Sequence, residues 1–195
     1  MRNIGTVALC ATLIVGATNM VLAQGTPPMP PRPAFTLTSP AFKDGDILPN
    51  KYSELNPAHP VSPPLAWVNA PASAQSFVLI VHDVDVALQK SPLDELHWMA
   101  INIPATATGL PEGVPPTPTL PDGTIQPNNG GGRGTPTPGF MAPGAPAGKY
   151  HHYVFELYAL DTKLSLGPQA TRDQVLTAIA GHVAGKAALT ALFHE

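Results

Sequence analysis

Three segments of this 195-residue chain place histidine and aspartate beside apolar or aromatic residues. They are His82-Asp83-Val84-Asp85, His97-Trp98 and His151-His152-Tyr153. Imidazole titrates near neutral pH, donates hydrogen bonds and is held in one tautomer by a neighbouring carboxylate. A fold that brings these segments together would therefore create a polar site that binds an anion, ligates a metal or supplies a catalytic base.

Three kinds of site fit these residue types. Imidazole N–H groups and the backbone of Gly-rich loops would bind an anion such as a phosphate ester. Histidine and aspartate also ligate zinc or manganese, but the chain has no HExxH motif and no paired cysteines. Hydrolysis would require Asp83 to orient His97 or His151 toward a serine or threonine, and no G-x-S-x-G motif is present. We therefore favour anion binding and assign no catalytic residue, no metal and no cofactor.

Several of these side chains also have purely structural explanations. His82 lies inside an apolar segment, where a hydrogen-bonded core or edge histidine is common. Side chains alternate along a strand, so His152 should point away from the face that His151 occupies, and we predict it at the surface. Asp83 and Asp85 are two residues apart, so they should share a face, where they could cap a turn. Only one of the paired histidines is thus expected in the site.

Strand-like segments flank each candidate residue. Alternation or short apolar runs predict strands over 35–42, 76–85, 97–104 and 153–160. The second contains five consecutive apolar residues, which is typical of a strand buried on both faces. Strand ends collect on one rim of a sheet, where loops meet. The segment 109–148 is rich in Pro and Gly and has no periodicity, which predicts functional loops or short edge strands.

A helix is predicted near the C-terminus. Thr171 and Gln174 form a capping-box pattern, followed by apolar residues that recur every four positions and continue raggedly to Phe193. Gly181 and Gly185 should each weaken this helix by about 1 kcal/mol relative to alanine, so tertiary packing must support it. The predicted fold class is therefore mostly β, with helix confined to the C-terminus.

Composition limits the possible functions. The chain is 44% hydrophobic, which suffices for one core, and its 25 Pro and 17 Gly argue against an all-helical fold. Only 12% of residues are charged and the net charge is −3. Non-specific nucleic-acid binding requires a basic face, so we predict no nucleic-acid partner.

The N-terminus has the pattern of a secretory signal peptide. Arg2 precedes a short apolar run, and "VLAQ" offers a cleavage site after Ala23. We predict a signal peptide over 1–23, a Pro-rich linker over 24–34 and one domain over 35–195, with export to the periplasm or beyond. The single cysteine, Cys10, lies within the apolar run, which argues against lipid attachment and leaves core packing alone to hold the mature chain together.

The segments "SPPLAW", "HDVD", "HWMAINIP", 140–153 and "YVFELYALD" occur in the order found in the phosphatidylethanolamine-binding protein family. The chain most resembles the bacterial Raf-kinase-inhibitor-like branch, over roughly residues 35–193, and "GHVAGKAAL" resembles the family's C-terminal helix. The resemblance implies an antiparallel β-sandwich with a C-terminal helix. It also implies a small anion pocket that binds phosphate groups such as the phosphatidylethanolamine head group.

The family builds that pocket from D-P-D, H-W and H-R-Y motifs and a G-P-x-P-P loop. The resemblance carries these over to the following ligand-binding residues: Asp83, Asp85, His97, Pro143, Gly144, His151 and Tyr153. Val84 replaces the Pro of D-P-D, His152 replaces the Arg of H-R-Y, and the loop becomes A-P-G-A-P. We therefore expect an anion site that has the side chains of the family's pocket but a different loop backbone, and therefore a different affinity or selectivity.

The resemblance also implies roles for these side chains. Asp83 would orient His97 or accept a hydrogen bond from the ligand, His97 and His151 would donate to the anion, and Tyr153 would close the pocket. The predicted function is binding of a phosphate-bearing small molecule or phospholipid head group, without catalysis. A hydrolase using the same rim is one alternative, and an inhibitor-like protein-interaction module acting through 109–148 is another. A protein partner and a homodimer both stay open.

Overall fold

The computed structural model describes residues 33–86, 94–132 and 134–195. The predicted signal peptide, Cys10 and most of the linker lie outside the described residues, as does part of the loop between Asp85 and His97. In the described ranges, no helix is both long and apolar enough to cross a membrane.

Two antiparallel sheets make up the fold, and the predicted mostly β architecture is confirmed. The smaller sheet has the order β1-β2-β5, with the bounds Thr36–Thr38 (β1), Leu65–Val68 (β2) and Gly109–Leu110 (β5). The larger sheet has the order β4-β3-β6-β7, with the bounds Ser76–Asp83 (β3), Glu95–Pro104 (β4), His151–Leu160 (β6) and Val183–Phe193 (β7). The helical elements are a 3₁₀ turn, Asn50–Tyr52, and one α-helix, Arg172–Ile179 (α1).

Strand β3 is buried on both faces, as its apolar run predicted. Phe77 and Leu79 belong to the core between the two sheets, where the Phe77 ring lies 5.3 Å from that of Trp67. Val78 and Ile80 point to the other face and belong to the core under α1. Each such side chain contributes about 1.5–3 kcal/mol by leaving water. This two-sided packing fixes the position of Asp83 at the end of the strand.

Helix α1 is shorter than the sequence predicted. The capping box is present, because the Thr171 hydroxyl accepts from the backbone N–H of Gln174, but the helix ends at Ile179. Gly181 then adopts a positive φ of 84°, and residues 183–193 pair with β6 as an antiparallel strand. The prediction of a helix reaching Phe193, and the reading of "GHVAGKAAL" as a helix, are therefore wrong.

Alternating burial explains why this segment forms a strand. Ala187, Leu189, Ala191 and Phe193 are buried, and the residues between them are exposed or half-buried. A four-residue recurrence fits the two-residue repeat of a strand as well as the 3.6-residue turn of a helix, so spacing alone could not separate them. Gly185 fits the strand because an added Cβ would lie 2.7 Å from the Pro71 ring.

Replacing Gly181 by alanine tests whether the chain turns here, because a turn and a continuous helix predict changes in stability of opposite sign. We expect a loss of about 1–2 kcal/mol, because a side chain strains a left-handed backbone conformation. In a continuous helix the same change would instead stabilise the protein by about 1 kcal/mol. Urea unfolding measures the difference, with Gly167→Ala as control, since an added Cβ there meets no atom within 4 Å. A gain in stability at position 181 would contradict the observed turn.

The Pro- and Gly-rich segment 109–148 forms loops and very short strand pairings, as predicted. Its first two residues are β5, and Ile125 pairs with Ile101 of β4 through two backbone hydrogen bonds of 2.8 and 3.0 Å. The Gln126 side chain accepts from the indole N–H of Trp98 at 2.8 Å. These contacts hold the loops against β4, beside the rim where the candidate residues lie.

Candidate functional site

A cavity of about 340 Å³ opens at one rim of the larger sheet, where β3 ends and β4 and β6 begin. The strand register explains its position, because Asp83 pairs with Glu95 on one side and with Tyr153 on the other. The predicted residues that line it are Asp83, His97, Gly144, His151 and Tyr153. The remaining lining residues are Glu54, Val86, Glu95, Gly132, Ala145 and Pro146.

The Asp83 carboxylate anchors His151 in the lining of this cavity. Asp83 is 2% exposed, and its Oδ2 accepts from Nδ1 of His151 at 2.7 Å. Its Oδ1 accepts from the backbone N–H of Asp85 at 2.9 Å. Because the carboxylate fixes the proton on Nδ1, the other ring nitrogen of His151, Nε2, is the one available to a ligand. Of the two predicted roles of Asp83, orienting His97 is wrong, since its partner is His151, and accepting a hydrogen bond from the ligand stays a prediction.

His97 is held by the loop opposite. Its Nδ1 donates to the carbonyl of Met141 at 2.8 Å, and the Met141 N–H donates back to the His97 carbonyl at 2.7 Å. Burial lowers the pKa of the His97 imidazole, although the Met141 carbonyl acts in the opposite direction. His97 is thus neutral near pH 7, with its ring proton on Nδ1. The ring stands edge-on to that of Tyr153, with the centroids 5.0 Å apart.

Tyr153 lines the cavity together with the two histidines. Its side chain is buried, and burial together with the charge of Asp83 raises the pKa of its hydroxyl far above the ordinary value. The hydroxyl therefore stays protonated at every physiological pH and can act as a hydrogen-bond donor in the cavity.

Two glutamates in the cavity were missed by sequence reasoning. Glu95 is buried, and its Oε1 accepts from the backbone N–H of Gly132 at 3.2 Å. Glu54 lies against Gly144, where an added Cβ would come within 2.3 Å of Oε2. Glu95 could have been found, because it lies two residues before His97 and residues two apart in a strand point to the same face. No sequence signal pointed to Glu54, which reaches the cavity from a loop.

Asp85 and Pro143 are not among the residues that line the cavity. Strand β3 ends at Asp83, and Asp85 lies in the turn that follows, so the expected shared face of the two aspartates is wrong. Asp85 Oδ2 instead accepts from the backbone N–H and Nδ1 of His152, at 2.7 and 2.8 Å, and these bonds lower the pKa of the Asp85 carboxyl. His152 is exposed, as predicted. Pro143 contributes its carbonyl, which accepts from the N–H of Glu54.

A second polar network lies on the opposite face of the larger sheet. His82 Nδ1 lies 2.6 Å from an oxygen of Asp94, and Arg172 of α1 forms an ion pair with the other oxygen. His82 Nε2 is 3.6 Å from Glu156, which is ion-pair rather than hydrogen-bond distance. Burial lowers the pKa of His82, but Glu156 and Asp94 outweigh it and the net shift is upward. His82 is therefore a structural histidine that ties β3 to α1.

The arrangement of acceptors and donors also bears on the alternative sites. Among the residues that the structure describes, no three His, Cys, Asp or Glu side chains are grouped so as to hold a metal ion. The described cavity lining contains two imidazoles, three carboxylates and a phenol, and it includes no Ser, Thr or Cys. This chemistry suits hydrogen-bonded capture of a small polar ligand.

Residues 38–194 match the family described as phosphatidylethanolamine-binding protein. The chain belongs to this family. A UPF0098 protein of Methanothermobacter thermautotrophicus is 41% identical over 161 residues, covering 83% of this chain and 99% of that protein. LppC of Mycobacterium tuberculosis, whose name assigns it to the lipoproteins, is 34% identical over 171 residues, covering 87% of this chain and 77% of LppC.

Solved structures of phosphatidylethanolamine-binding protein homologues share the fold. The homologue CT736 of Chlamydia trachomatis has a TM-score of 0.71 at 33% identity, covering 83% of this chain and 98% of CT736. YbcL of Escherichia coli has a TM-score of 0.68 at 28% identity, covering 84% of this chain and 99% of YbcL. The protein thus lies in the YbhB-like branch of the phosphatidylethanolamine-binding protein family, and its membership supports a role in binding a small ligand.

Proposed function

We propose that the rim cavity binds the phosphate group of a small molecule or of a phospholipid head group, and that the protein acts by binding rather than by catalysis. The observation that carries this proposal is the buried Asp83–His151 pair at the cavity wall. Asp83 occupies Nδ1 and leaves Nε2 for the ligand, and a proton shared between Nε2 and a phosphate oxygen forms a charge-assisted hydrogen bond.

The dimensions of the cavity support a head group as the ligand. A volume of about 340 Å³ is at the small end of ligand pockets, which suits a phosphate with a short substituent and leaves no room for acyl chains. The family description refers to a phosphate-containing lipid, which also supports this choice. The absence of Ser, Thr and Cys from the described lining favours binding over nucleophilic hydrolysis.

Export is part of the proposal. The support comes from the signal-like pattern over 1–23 and from the lipoprotein name of the relative LppC. Fractionation of producing cells, followed by N-terminal sequencing of the exported protein, would test it. A chain that keeps residues 1–23 and stays in the cytoplasm would contradict it.

Calorimetric titration with phosphorylethanolamine and with inorganic phosphate tests the site. We expect saturable binding that His151→Ala weakens by roughly 10–100-fold, the value of one charge-assisted hydrogen bond. His152→Ala is the matched control, because it changes the same residue type one position away, on the exposed side of β6. Equal effects of the two substitutions, or no heat at millimolar ligand, would contradict the proposal. Turnover of a phosphate ester would favour the hydrolase instead.

A further inference from the structure

The two glutamates of the rim cavity occupy space that glycines leave free. The Glu95 carboxylate packs against Gly130, where an added Cβ would overlap Oε1, and the same oxygen accepts from the backbone N–H of Gly132 at 3.2 Å. Glu54 packs against Gly144, where an added Cβ would overlap Oε2. The loops around the cavity thus leave room for a carboxylate at each of these two positions.

Neither glutamate has a positively charged partner among the residues that the structure describes. None of the ion pairs in that part of the chain includes Glu54 or Glu95. Of the described lining residues only His97 and His151 can carry a positive charge, and His151 already bonds to Asp83. Glu95 is 8% exposed, yet its Oε2 has no hydrogen-bond partner among the described residues. A ligand that brings a positive charge would offset the cost of burying this carboxylate.

The fold brings a third carboxylate close to these two. Glu95 of β4 pairs directly with Asp83 of β3, and both side chains line the cavity. Like charges directly opposite each other in a sheet are destabilising, and the hydrogen bond from His151 stabilises Asp83 alone. After burial and the charge of Asp83, the charge of Glu54 also raises the pKa of the Tyr153 hydroxyl, so Glu54 lies near that group. Such a concentration of like charge costs stability and is typical of a binding site.

We propose that Glu54 and Glu95 form a cation subsite beside the phosphate, and that they select ligands with a protonated amine a short distance from the phosphate. The ammonium N–H groups donate to Oε2 of Glu95 and to the Glu54 carboxylate, while the phosphate lies on the side of His151. This inference rests on the proposed function and specifies its ligand class as phosphate esters with a cationic substituent, either free or in a phospholipid. An ester with a neutral substituent leaves both carboxylates uncompensated beside its own negative charge.

Two phosphate esters of nearly equal shape test this selection. Phosphorylethanolamine and propyl phosphate have chains of the same length, and they differ by an ammonium against a methyl group at the end of the chain. We expect phosphorylethanolamine to bind the wild-type protein roughly 10–100-fold more tightly in calorimetric titration, the value of one hydrogen bond to a charged group.

Glutamine substitutions test whether the two glutamates are responsible, because they keep the shape of each side chain and remove its charge. Glu54→Gln and Glu95→Gln should each cut the preference by roughly 3–10-fold, and the double variant should bind the two esters within about threefold of each other. The affinity for propyl phosphate should rise, because each substitution removes a negative charge near its phosphate. Glu112→Gln is the control, since its carboxylate bonds to Lys51 and Tyr52, outside the described cavity lining. Urea unfolding confirms folding of each variant, and the wild-type comparison is decisive even if Glu95→Gln does not fold.

Vesicles distinguish the two sources of such a ligand. The protein is floated with phosphatidylglycerol vesicles that contain or lack phosphatidylethanolamine. Binding that requires phosphatidylethanolamine, and that Glu95→Gln abolishes, would support the cation subsite with a lipid head group as its ligand. A preference confined to the soluble esters would support the subsite with a free phosphate ester as its ligand.

The outcomes separate this inference from the function on which it rests. Equal affinities of the wild-type protein for phosphorylethanolamine and propyl phosphate would overturn the cation subsite and leave anion binding intact. Binding of neither ester, nor of inorganic phosphate, would overturn the proposed function itself. A preference that persists unchanged in folded Glu54→Gln and Glu95→Gln variants would remove these two residues from the selecting role.

Discussion

Asp83→Ala is expected to lower the free energy of unfolding by about 2–5 kcal/mol, because it leaves two buried donors without their acceptor. The substitution leaves Nδ1–H of His151 and the backbone N–H of Asp85 without their acceptor, in a site where Asp83 is 2% exposed. Tyr153 loses the carboxylate with which its hydroxyl interacts. Anion binding should disappear as well, because nothing then holds His151 in its tautomer.

Asp85→Ala is the matched control for this prediction. Its carboxylate also bonds to a histidine, but the side chain of that partner, His152, is 52% exposed. Exposed ion pairs contribute little, so we expect a loss below about 1 kcal/mol. Urea or guanidinium unfolding of both variants gives the comparison. Losses of similar size would show that the Asp83–His151 pair is not a structural anchor.

The second large effect concerns the charged network beneath α1. Interactions with His82, and to a smaller extent with Lys186 and Tyr158, outweigh the effect of burial and lower the pKa of Glu156 from 4.5 to about 2. A carboxyl group whose pKa is lower in the folded protein stabilises the fold. This stabilisation is complete at pH values above the pKa of the group in the unfolded chain, and it is lost as the pH falls through the pKa in the folded protein. We therefore expect the protein to lose up to about 3 kcal/mol from this group between about pH 5 and pH 2.

Glu156→Gln isolates this contribution. Near pH 6 the variant should be less stable than the wild-type protein by up to about 3 kcal/mol, and the difference should vanish toward pH 2. Urea unfolding at several pH values measures it. Glu112→Gln removes another lysine-paired carboxylate, but one at the surface, and should show a much weaker dependence. A difference between wild type and Glu156→Gln that does not change with pH would contradict this role of the carboxylate.

Asp83, His97 and His151 could be found from the sequence because each lies at or near the end of a long strand. The apolar run of β3 and the alternation of β4 and β6 predicted the strands, and the rule that strand ends gather on one rim then brought Asp83, His97 and His151 together. The choice of partner could not be predicted in the same way. Asp83 lies on the central strand between His97 and His151, and only the three-dimensional geometry decides which imidazole it contacts.

Turns and loops account for the other differences. The turn after Asp83 breaks the alternation and carries Asp85 away from the cavity, while Glu54 enters it from a loop with no periodic signal. In the C-terminal segment, pairing with β6 overrides a spacing that also fits a helix. Local pattern thus predicted most of the strands, whereas tertiary pairing decided the C-terminal segment and the hydrogen-bond partners.

The burial of β3 on both faces has a consequence for folding fidelity. Its central residues are apolar on either side, so hydrophobicity alone does not distinguish the native alignment from one shifted by a single residue. The neighbours His82 and Asp83 make that distinction. A one-residue slip would turn Asp83 toward Asp94 and Glu156, on the face of the larger sheet that α1 covers, and would place His82 in the rim cavity. The Asp83 carboxylate would then repel the other two carboxylates. Electrostatic repulsion, rather than loss of apolar contact, therefore penalises misaligned pairing of the central strand.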